Sequence, residues 1–244
     1  MMPAWHDVLI KKLKEHSTLS GPEITAIRRL PHTQRTLSSQ EDIVRQGDRP
    51  KVSVVVLNGM VARYHTLRGG GRQYLSLHIA GDMPDAQALF LERMDHAVCA
   101  MDDAVVALVP HTALLKLFEE RPAVGFAIWR ETLIDAAIFR EAITNNGARP
   151  LQMRLAHFLC EQYYRARTSG LVKSGSCKLP LTQTQIGEAL GASLPSISRG
   201  LLKLRKTQTM DLRRGQLHVW DWDRLVEVGD FTPNYLHLKK PGKV

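Results

Sequence analysis

Polar side chains between residues 193 and 206 have the types and the spacing that recognition of DNA requires. In the run SLPSISRGLLKLRK, the apolar residues Ile197, Leu201 and Leu204 recur with the period of a helix and mark its buried face. The positions left to solvent are Ser196, Ser198, Arg199, Lys203 and Lys206. Arginine donates two hydrogen bonds to O6 and N7 of guanine, and serine hydroxyls contact bases or phosphates. The chemistry expected of this helix is therefore recognition of nucleic acid.

A shorter helix and a tight turn precede this segment and would position it. Thr182 is suited to cap a helix with the sequence QTQIGEAL, and Gly191 supplies the left-handed residue that ends it. Ser193 is placed to cap the next helix, whose first turn tolerates Pro195 because the N–H groups there have no helical partner. Residues 181–206 therefore predict a helix-turn-helix, the second helix of which enters the major groove.

A β-hairpin is predicted directly after this pair, from the sequence MDLRRGQLHV at residues 210–219. Its tip would carry Arg213 and Arg214 near the sugar–phosphate backbone, which makes the whole segment a winged helix-turn-helix. The predicted DNA-binding residues are Thr182, Gln183, Thr184, Ser193, Ser196, Ser198, Arg199, Lys203, Arg213 and Arg214.

The distribution of charge supports a polyanionic partner. The 244 residues carry a formal net charge of +9, from 33 Lys and Arg against 24 Asp and Glu. Residues 1–148 are formally neutral, so the whole excess lies in residues 149–244, which include the predicted winged segment. A neutral first part and a basic second part indicate two modules with different functions.

The neutral part changes from helical to β-type patterning. Residues 8–30 have helical spacing that is broken at Ser20-Gly21-Pro22, which predicts two short helices. Between about residues 35 and 109, short apolar runs alternate with turn signals such as Asn58-Gly59 and Gly81-Asp82. Short strands at near-regular spacing predict a compact antiparallel roll or barrel.

A long helix is predicted from Pro122 to about Thr144, before the sequence Asn145-Asn146-Gly147-Ala148-Arg149-Pro150, which we interpret as a hinge. The helix has two apolar stripes: Phe126, Trp129, Leu133, Ala136 and Ile143 form one, and Ala127, Ile134, Ile138 and Ala142 form the other. Two apolar faces need two partners. Either the helix is sandwiched within one domain, or one face packs on the roll and the other on a second subunit.

The order of these segments resembles the Crp/Fnr family of bacterial transcription factors, the cyclic-AMP receptor and fumarate–nitrate regulator family. The resemblance covers nearly all of the chain and is carried by IVRQGD, LNGMVARY, HIAGDM, the long helix, RPLQMRLAHFLCE, LTQTQIGEALGASLPSISRGLLKLR, LRRGQL and WDRLVEVGDFTPNYLHL. It implies that the roll is a cyclic-nucleotide-binding-like sensor domain, that the long helix is the dimer interface, and that the winged domain binds a palindromic operator.

The roll departs from the nucleotide-binding members of that family. Those members carry Gly-Glu shortly after a Gly-Asp turn, and then Arg-Ser or Arg-Thr. Read without gaps from Gly81-Asp82, these places hold Asp85-Ala86 and His96-Ala97, and Asp85 and Asp95 would repel a phosphate. The candidate effector pocket, which is degenerate, consists of Gly81, Asp82, Asp85, Ala86, His96 and Ala97. We therefore expect no binding of cyclic AMP or cyclic GMP at physiological concentrations.

The helix predicted to read DNA departs from the family as well. Family members often have a glutamate in its first turn, and the corresponding residue here is Pro195, whose side chain can neither donate nor accept a hydrogen bond. The pair Ser198-Arg199 resembles the oxygen-regulator branch. The resemblance implies that the guanine contact of Arg199 is kept and that stringency is lost where the glutamate would act.

No cofactor is predicted with certainty. Oxygen-sensing relatives hold an iron–sulfur cluster on cysteines near the N-terminus, whereas the three cysteines here are Cys99, Cys160 and Cys177, so we predict that no cluster is bound. Haem ligation stays open, because His65, His78 and His96 lie in or beside the predicted roll. The spacing of the histidines and cysteines predicts no metal site; His157, Cys160 and Glu161 are interpreted as packing residues of one helix.

Other classes of protein fit less well. The sequence has no Gly-x-Ser-x-Gly, phosphate-binding loop or HExxH, and the run RGGGR at residues 68–72 lies between two strands, so an enzyme is not predicted. A cyclic-nucleotide-binding or haem-binding sensory module whose main output is not DNA binding is the alternative. The absence of a long apolar run and of a leader pattern predicts a cytoplasmic protein that does not engage the membrane.

These observations predict an α+β protein with an N-terminal antiparallel, jelly-roll-like β-roll, a long central dimerisation helix and a C-terminal winged helix-turn-helix. The predicted domains are a sensor with N-terminal helices at 1–115, a dimerisation helix and hinge at 116–147, and a DNA-binding domain at 148–244. We predict a homodimer through residues 122–144 on a double-stranded DNA operator. Its signal would be other than cyclic AMP, or none, and contact with RNA polymerase stays open.

Overall fold

The N-terminal helices pack beside the roll in the computed structural model, which describes residues 4–238. Helix α1 spans Trp5–Lys14 and α2 spans Gly21–Arg28, so the predicted break at Ser20-Gly21-Pro22 is the start of α2. Proline is tolerated at this point because it occupies the first turn. The buried residues of both helices, among them Trp5, Leu9 and Ile27, join one apolar cluster with residues of the roll.

The roll consists of two antiparallel sheets, as predicted. Its strands are β1 Thr33–Leu37, β2 Asp42–Val44, β3 Val52–Asn58, β4 Val61–Thr66, β5 Arg72–His78, β6 Ala97–Ala100 and β7 Ala104–Pro110. One sheet has the order β1-β7-β3 and the other has the order β2-β6-β4-β5. A 3₁₀ turn at Ala86–Leu89 lies between β5 and β6.

Strand β1 lies outside the predicted strand runs. Its sequence TQRTL has one buried residue, Leu37, and so it lacks the alternation that marks a half-buried strand. The strand forms because it pairs antiparallel with β7, with Thr33 opposite Leu108 at one end and Leu37 opposite Ala104 at the other. Pairing with a distant strand has here outweighed a weak local signal.

Two helices follow the roll, α3 at His111–Glu120 and α4 at Pro122–Ala148. The prediction that residues 145–150 form a hinge is wrong in its first part, because α4 continues through Ala148. The side chain of Asn145 is buried and donates from Nδ2 to the carbonyl oxygen of Arg154 at 3.1 Å. The helix ends where Pro150 disfavours helical backbone in the residue before it.

The C-terminal part is built on α5, Leu151–Thr168. The elements after it are β8 Ser176–Lys178, α6 Gln183–Leu190, α7 Leu194–Lys206, β9 Met210–Arg213, β10 Gln216–Val219, α8 Trp222–Gly229 and a 3₁₀ turn Pro233–Leu236. The three strands form an antiparallel sheet in the order β8-β10-β9. Tyr164 of α5 stacks on Trp222 of α8, with ring centroids 6.1 Å apart.

The chain separates into two compact units. The first comprises residues 1–71 and 75–136, and the second comprises residues 72–74 and 137–244. The predicted domain boundaries after residues 115 and 147 stay predictions, and their outer ends at residues 1–3 and 239–244 lie outside the described part of the chain. Within residues 4–238, no helix is both long enough and apolar enough to span a membrane.

Candidate nucleic-acid interface

Helices α6 and α7 form the predicted helix-turn-helix. Thr182 is the N-cap of α6, where its Oγ1 accepts a hydrogen bond from the backbone N–H of Gln185 at 3.2 Å. Gly191 ends the helix in the left-handed conformation, with φ of 61°. A Cβ on Gly187 would lie 2.5 Å from the carbonyl oxygen of Ala192, so the turn requires glycine at residue 187. The helix pair is thus held by local features that the sequence displays.

The face of α7 that points away from the core carries the polar groups predicted to contact DNA. Ile197, Leu201 and Leu204 are buried, whereas Ser198, Arg199 and Lys203 are exposed and Ser196 is half-buried. The Nη2 atom of Arg199 donates to Ser196 Oγ at 3.1 Å, and Ser196 Oγ lies 3.0 Å from Ser193 Oγ. This chain of hydrogen bonds holds the guanidinium group against the first turn of the helix.

The prediction that the Ser193 side chain caps α7 is wrong. Ser193 stands at the N-cap with extended backbone, but its hydroxyl makes no capping hydrogen bond with the helix backbone. Its Oγ pairs instead with Ser196 Oγ. The two hydroxyls are three residues apart and therefore lie on the same helical face, which brings Ser193 into the polar network of Arg199.

The hairpin of β9 and β10 forms the wing. Its two turn residues, Arg214 and Gly215, have φ of 51° and 71°, the combination that a tight two-residue hairpin turn requires. Arg213 and Arg214 are exposed, and Arg213 Nε lies 3.1 Å from Asp211 Oδ2. The tip of the wing is therefore cationic, as predicted, and one of its two arginines has an acidic neighbour.

The start of α6 exposes three polar residues, Thr182, Gln183 and Thr184. The free N–H groups and the dipole at a helix N-terminus favour a phosphate there. Among the exposed cations of the same unit that our predicted set omitted are Lys178 on β8 and Arg205 on α7. Local sequence gave no reason to choose Lys178, which precedes the helix-turn-helix, and Arg205 lies near the end of α7, beyond Lys203.

The residues of the degenerate effector pocket are buried in the roll. Gly81 has φ of 99°, and a Cβ on it would lie 2.7 Å from Cβ of Lys12. The carboxylate of Asp82 accepts from the backbone N–H of Ile79 at 2.9 Å and lies 3.1 Å from Lys12 Nζ. The turn at Gly81-Asp82 is thus part of the packing between the roll and α1.

Asp85 has a structural role that the sequence did not reveal. Its side chain is fully buried, and Oδ1 accepts from the backbone N–H of Val54 at 2.8 Å. Burial raises the pKa of this carboxyl to about 7. Near neutral pH this carboxyl is therefore partly protonated, and its Oδ1 is occupied by the Val54 N–H.

The other predicted pocket positions are closed by protein contacts as well. Ala86 and Ala97 are buried. His96 is buried, with Nδ1 at 2.7 Å from Asp95 Oδ1 and Nε2 at 3.3 Å from Gln87 Nε2. Burial, together with the positive charge of Arg63, lowers the pKa of His96. Arg63 itself, a residue of β4, was absent from the predicted set although it lies within this cluster.

Two known domain families match the chain. The cyclic nucleotide-binding domain matches residues 34–121, and the Crp-like helix-turn-helix domain matches residues 153–228. The first match coincides with the roll and the second with the winged segment. Both fall in the order that the sequence analysis predicts.

Relatives over most of the chain are regulators. The chain is 21% identical over 222 residues to the fumarate and nitrate reduction regulatory protein of Vibrio cholerae, which covers 91% of this chain and 88% of that protein. It is 22% identical over 220 residues to the electron transport regulator A of Shewanella oneidensis. The match covers 90% of this chain and 88% of that protein. Both names are those of regulators.

Solved structures share the fold. FixK2 from Bradyrhizobium japonicum superposes with a TM-score of 0.74 at 24% identity, covering 83% of this chain and 100% of that chain. The c-di-GMP responsive global regulator CLP of Xanthomonas campestris superposes with a TM-score of 0.64 at 14% identity. The superposition covers 82% of this chain and 99% of that chain.

Proposed function

Because the chain belongs to the Crp/Fnr family of DNA-binding transcription regulators, we propose that it acts as a homodimer on an operator with two-fold symmetry. The observation that carries the proposal is the apolar face that α4 leaves uncovered. Phe126, Trp129 and Leu133 are 64%, 61% and 49% exposed, and their spacing of three and four residues is that of a coiled-coil seam. Ile143, further along the same helix, is exposed as well.

The opposite face of α4 already has a partner. Val124, Ala127 and Ile128 are buried in the apolar cluster that also contains residues of α1 and α2. A groove of about 610 Å³ opens beside Phe126 and Trp129 and extends the uncovered apolar surface. Large contiguous apolar surface is rare on a monomer, and a second copy of the same helix would cover it.

A pair of winged segments would then read DNA together. We propose that Arg199 of each subunit contacts a guanine, that Ser196 and Ser198 contact bases or phosphates, and that Arg213 and Arg214 contact the backbone. The residues at the start of α6, Thr182 to Thr184, would contact phosphate. The two recognition helices would occupy half-sites about 34 Å apart.

Selection of binding sites from random duplex DNA, followed by footprinting and sedimentation, tests this proposal. We expect a symmetric footprint and a mass of two chains. Trp129→Glu should give single chains and weak operator binding, because it places a charge in the apolar seam. Leu67→Glu is the matched control, since Leu67 is 53% exposed but lies outside α4. A single-chain wild type that binds the operator fully would refute the homodimer.

We also propose that the protein uses neither cyclic AMP nor an iron–sulfur cluster. Ala86, His96 and Ala97 stand where ribose and phosphate contacts are needed, and all three are buried. A four-cysteine cluster needs more thiolates than the three cysteines here provide, and burial raises the pKa of Cys177 to about 11, which disfavours its thiolate. Calorimetry with cyclic AMP and the absorbance of anaerobically purified protein test both parts.

Haem forms no part of the proposal, because each of the three candidate histidines has a ring nitrogen in contact with another protein group. His65 Nε2 lies 3.1 Å from the carbonyl oxygen of Asp95, and His78 Nε2 lies 2.8 Å from Ser76 Oγ. Both ring nitrogens of His96 have protein partners. Ligation of iron by Nε2 of His65 or His78, or by either ring nitrogen of His96, would require one of these contacts to break. A Soret band in protein purified from haem-supplied cells would contradict this part.

Regulation of transcription further requires that the DNA-bound dimer contact RNA polymerase or block its access. Transcription in vitro from a promoter that carries the selected operator distinguishes these two outcomes.

A further inference from the structure

A buried arginine lies where the roll was expected to hold an effector. Arg63 of β4 is 4% exposed, and its Nε donates to the carbonyl oxygen of Pro84 at 2.6 Å. Its Nη1 donates to the Asp135 carboxylate of α4. Its positive charge lowers the pKa of His96 and opposes the upward shift in the pKa of Asp85. The guanidinium group therefore lies among the predicted pocket residues.

Burial of this charge is costly and needs an explanation. The neighbours of Arg63 in β4, Val61, Ala62 and Tyr64, are buried, and an aliphatic side chain at residue 63 would fill the space without a charge to desolvate. Asp135 compensates the charge, and its side chain is 20% exposed. The pair consequently connects strand β4 and the turn at Pro84 with α4, the helix of the proposed dimer.

We propose that Arg63 is an intramolecular ligand that replaces a diffusible effector in the roll. Its guanidinium group holds α4 on the roll through Asp135 and holds the 81–86 turn through Pro84. A bound ligand shifts a protein toward the state to which it binds more tightly, and a covalently attached group is present at all times. The DNA-binding state therefore forms without a small molecule. This inference rests on the proposed function.

Removal and chemical replacement of the guanidinium group test the inference. Arg63→Ala should lower operator affinity at least about tenfold, in the range of allosteric coupling. Millimolar n-propylguanidinium chloride should restore it, because the added cation can fill the vacated space and bind Asp135. n-Propylammonium chloride at equal ionic strength should restore less, since an ammonium group lacks the planar fork of donors.

Further variants separate a specific role from loss of folding. Arg45→Ala is the matched control, because this roll arginine has a side chain that is 78% exposed, and it should bind the operator like wild type. Asp135→Asn should weaken binding and should not respond to n-propylguanidinium. Arg63→Met removes the charge but keeps a side chain of similar volume, so this variant should fold even if the cavity in Arg63→Ala prevents folding. Wild-type operator affinity in Arg63→Met, without any added small molecule, would overturn the inference.

A second measurement keeps this inference separate from the proposed function. n-Propylguanidinium should raise the melting temperature of Arg63→Ala but not that of Asp135→Asn, whether or not DNA is present. If wild type binds no DNA but this stabilisation is seen, the proposed function fails and the Arg63 site stands. If wild type binds DNA and Arg63→Ala shows neither loss nor rescue, the Arg63 inference fails alone.

Discussion

The side chain of Arg199 is positioned by a hydrogen bond within the protein in the absence of DNA. Its hydrogen bond to Ser196, which in turn pairs with Ser193, fixes the guanidinium group on the exposed side of α7. Ordering a long side chain in advance lowers the entropy lost on binding. The serines of this helix therefore have two roles: they offer hydroxyls to DNA, and they position the arginine.

We predict that Arg199→Ala weakens specific operator binding by about 1–3 kcal/mol and relaxes the preference at one base pair of each half-site. The measurement is a titration of the selected operator and of operators with single substitutions. Arg224→Ala is the control, because Arg224 is exposed on α8, outside the helix-turn-helix and the wing, and the variant should bind the operator like wild type. Unchanged affinity in Arg199→Ala would show that another residue reads the guanine.

Asp85 should make the stability of the protein depend on pH. Its pKa of about 7 in the folded state lies above the value of 3.8 for an unburied aspartate, so the folded protein binds this proton more tightly than the unfolded chain. The contribution to stability is complete below about pH 4 and is lost as the pH rises to about 7. Between pH 5 and pH 7 the free energy of unfolding should fall by roughly 1 kcal/mol for each pH unit.

Asp85→Asn should remove this dependence, because asparagine keeps an oxygen for the Val54 N–H and has no proton to lose. Urea unfolding at pH 5 and pH 7 measures the difference between wild type and the variant. The exposed Asp103→Asn is the control and should follow wild type. Equal slopes in wild type and Asp85→Asn would contradict the assigned pKa shift.

At the scale of elements, the helix-turn-helix depends on a close backbone approach at Gly187. This residue lies within α6, where glycine is intrinsically unfavourable by roughly 0.5–1 kcal/mol relative to alanine. Glycine is nevertheless required at this residue, because a Cβ would overlap the carbonyl oxygen of Ala192. The close approach of α6 to the turn before α7 therefore depends on the absence of a side chain at residue 187.

Gly187→Ala should destabilise the C-terminal unit by roughly 1–3 kcal/mol, the usual cost of overpacking, and should weaken operator binding. Gly147→Ala provides the matched control. Gly147 also lies in a helix, but a Cβ on it would meet no atom within 4 Å, so alanine there should be neutral or stabilising. Circular dichroism during urea unfolding measures both; equal stability of the two variants would contradict the steric argument.

At the scale of the molecule, the charge is divided according to function. The C-terminal 96 residues carry the whole net charge of +9, and a dimer doubles it. Such a surface attracts the phosphate backbone irrespective of base sequence, and the attraction weakens with salt because binding releases counterions. We therefore expect operator affinity to fall steeply between low and physiological salt.

Arg214→Asn should reduce the magnitude of the salt slope by about two for the dimer, one phosphate contact per subunit at about 0.9 each. Asparagine suits this position because it tolerates the positive φ of Arg214. The exposed Arg224 of α8 provides the control variant Arg224→Asn, which should leave the slope unchanged. Loss of affinity in Arg214→Asn with no change in slope would refute a phosphate contact.

Elements whose signals are local could be predicted from the order of the amino acids. The period of Ile197, Leu201 and Leu204, the cap at Thr182 and the turn glycine Gly191 all lie within 25 residues, and they predicted the helix-turn-helix. The alternation of apolar and polar residues on both sides of Arg214 predicted the wing. Apolar residues at helical spacing predicted the two stripes of α4. Each of these signals depends on neighbours along the chain, so no tertiary information was needed.

The groups that fill the roll could not be predicted in this way, because they are distant from one another along the chain. Arg63 and Asp135 are 72 residues apart, and no periodicity or motif connects them. The burial of Asp85, the pairing of β1 with β7 and the continuation of α4 past Asn145 likewise depend on partners that are distant in sequence or on the packing around them. The free energy of a buried charge is set by the groups that surround it in space, and the order of residues does not state which groups those are.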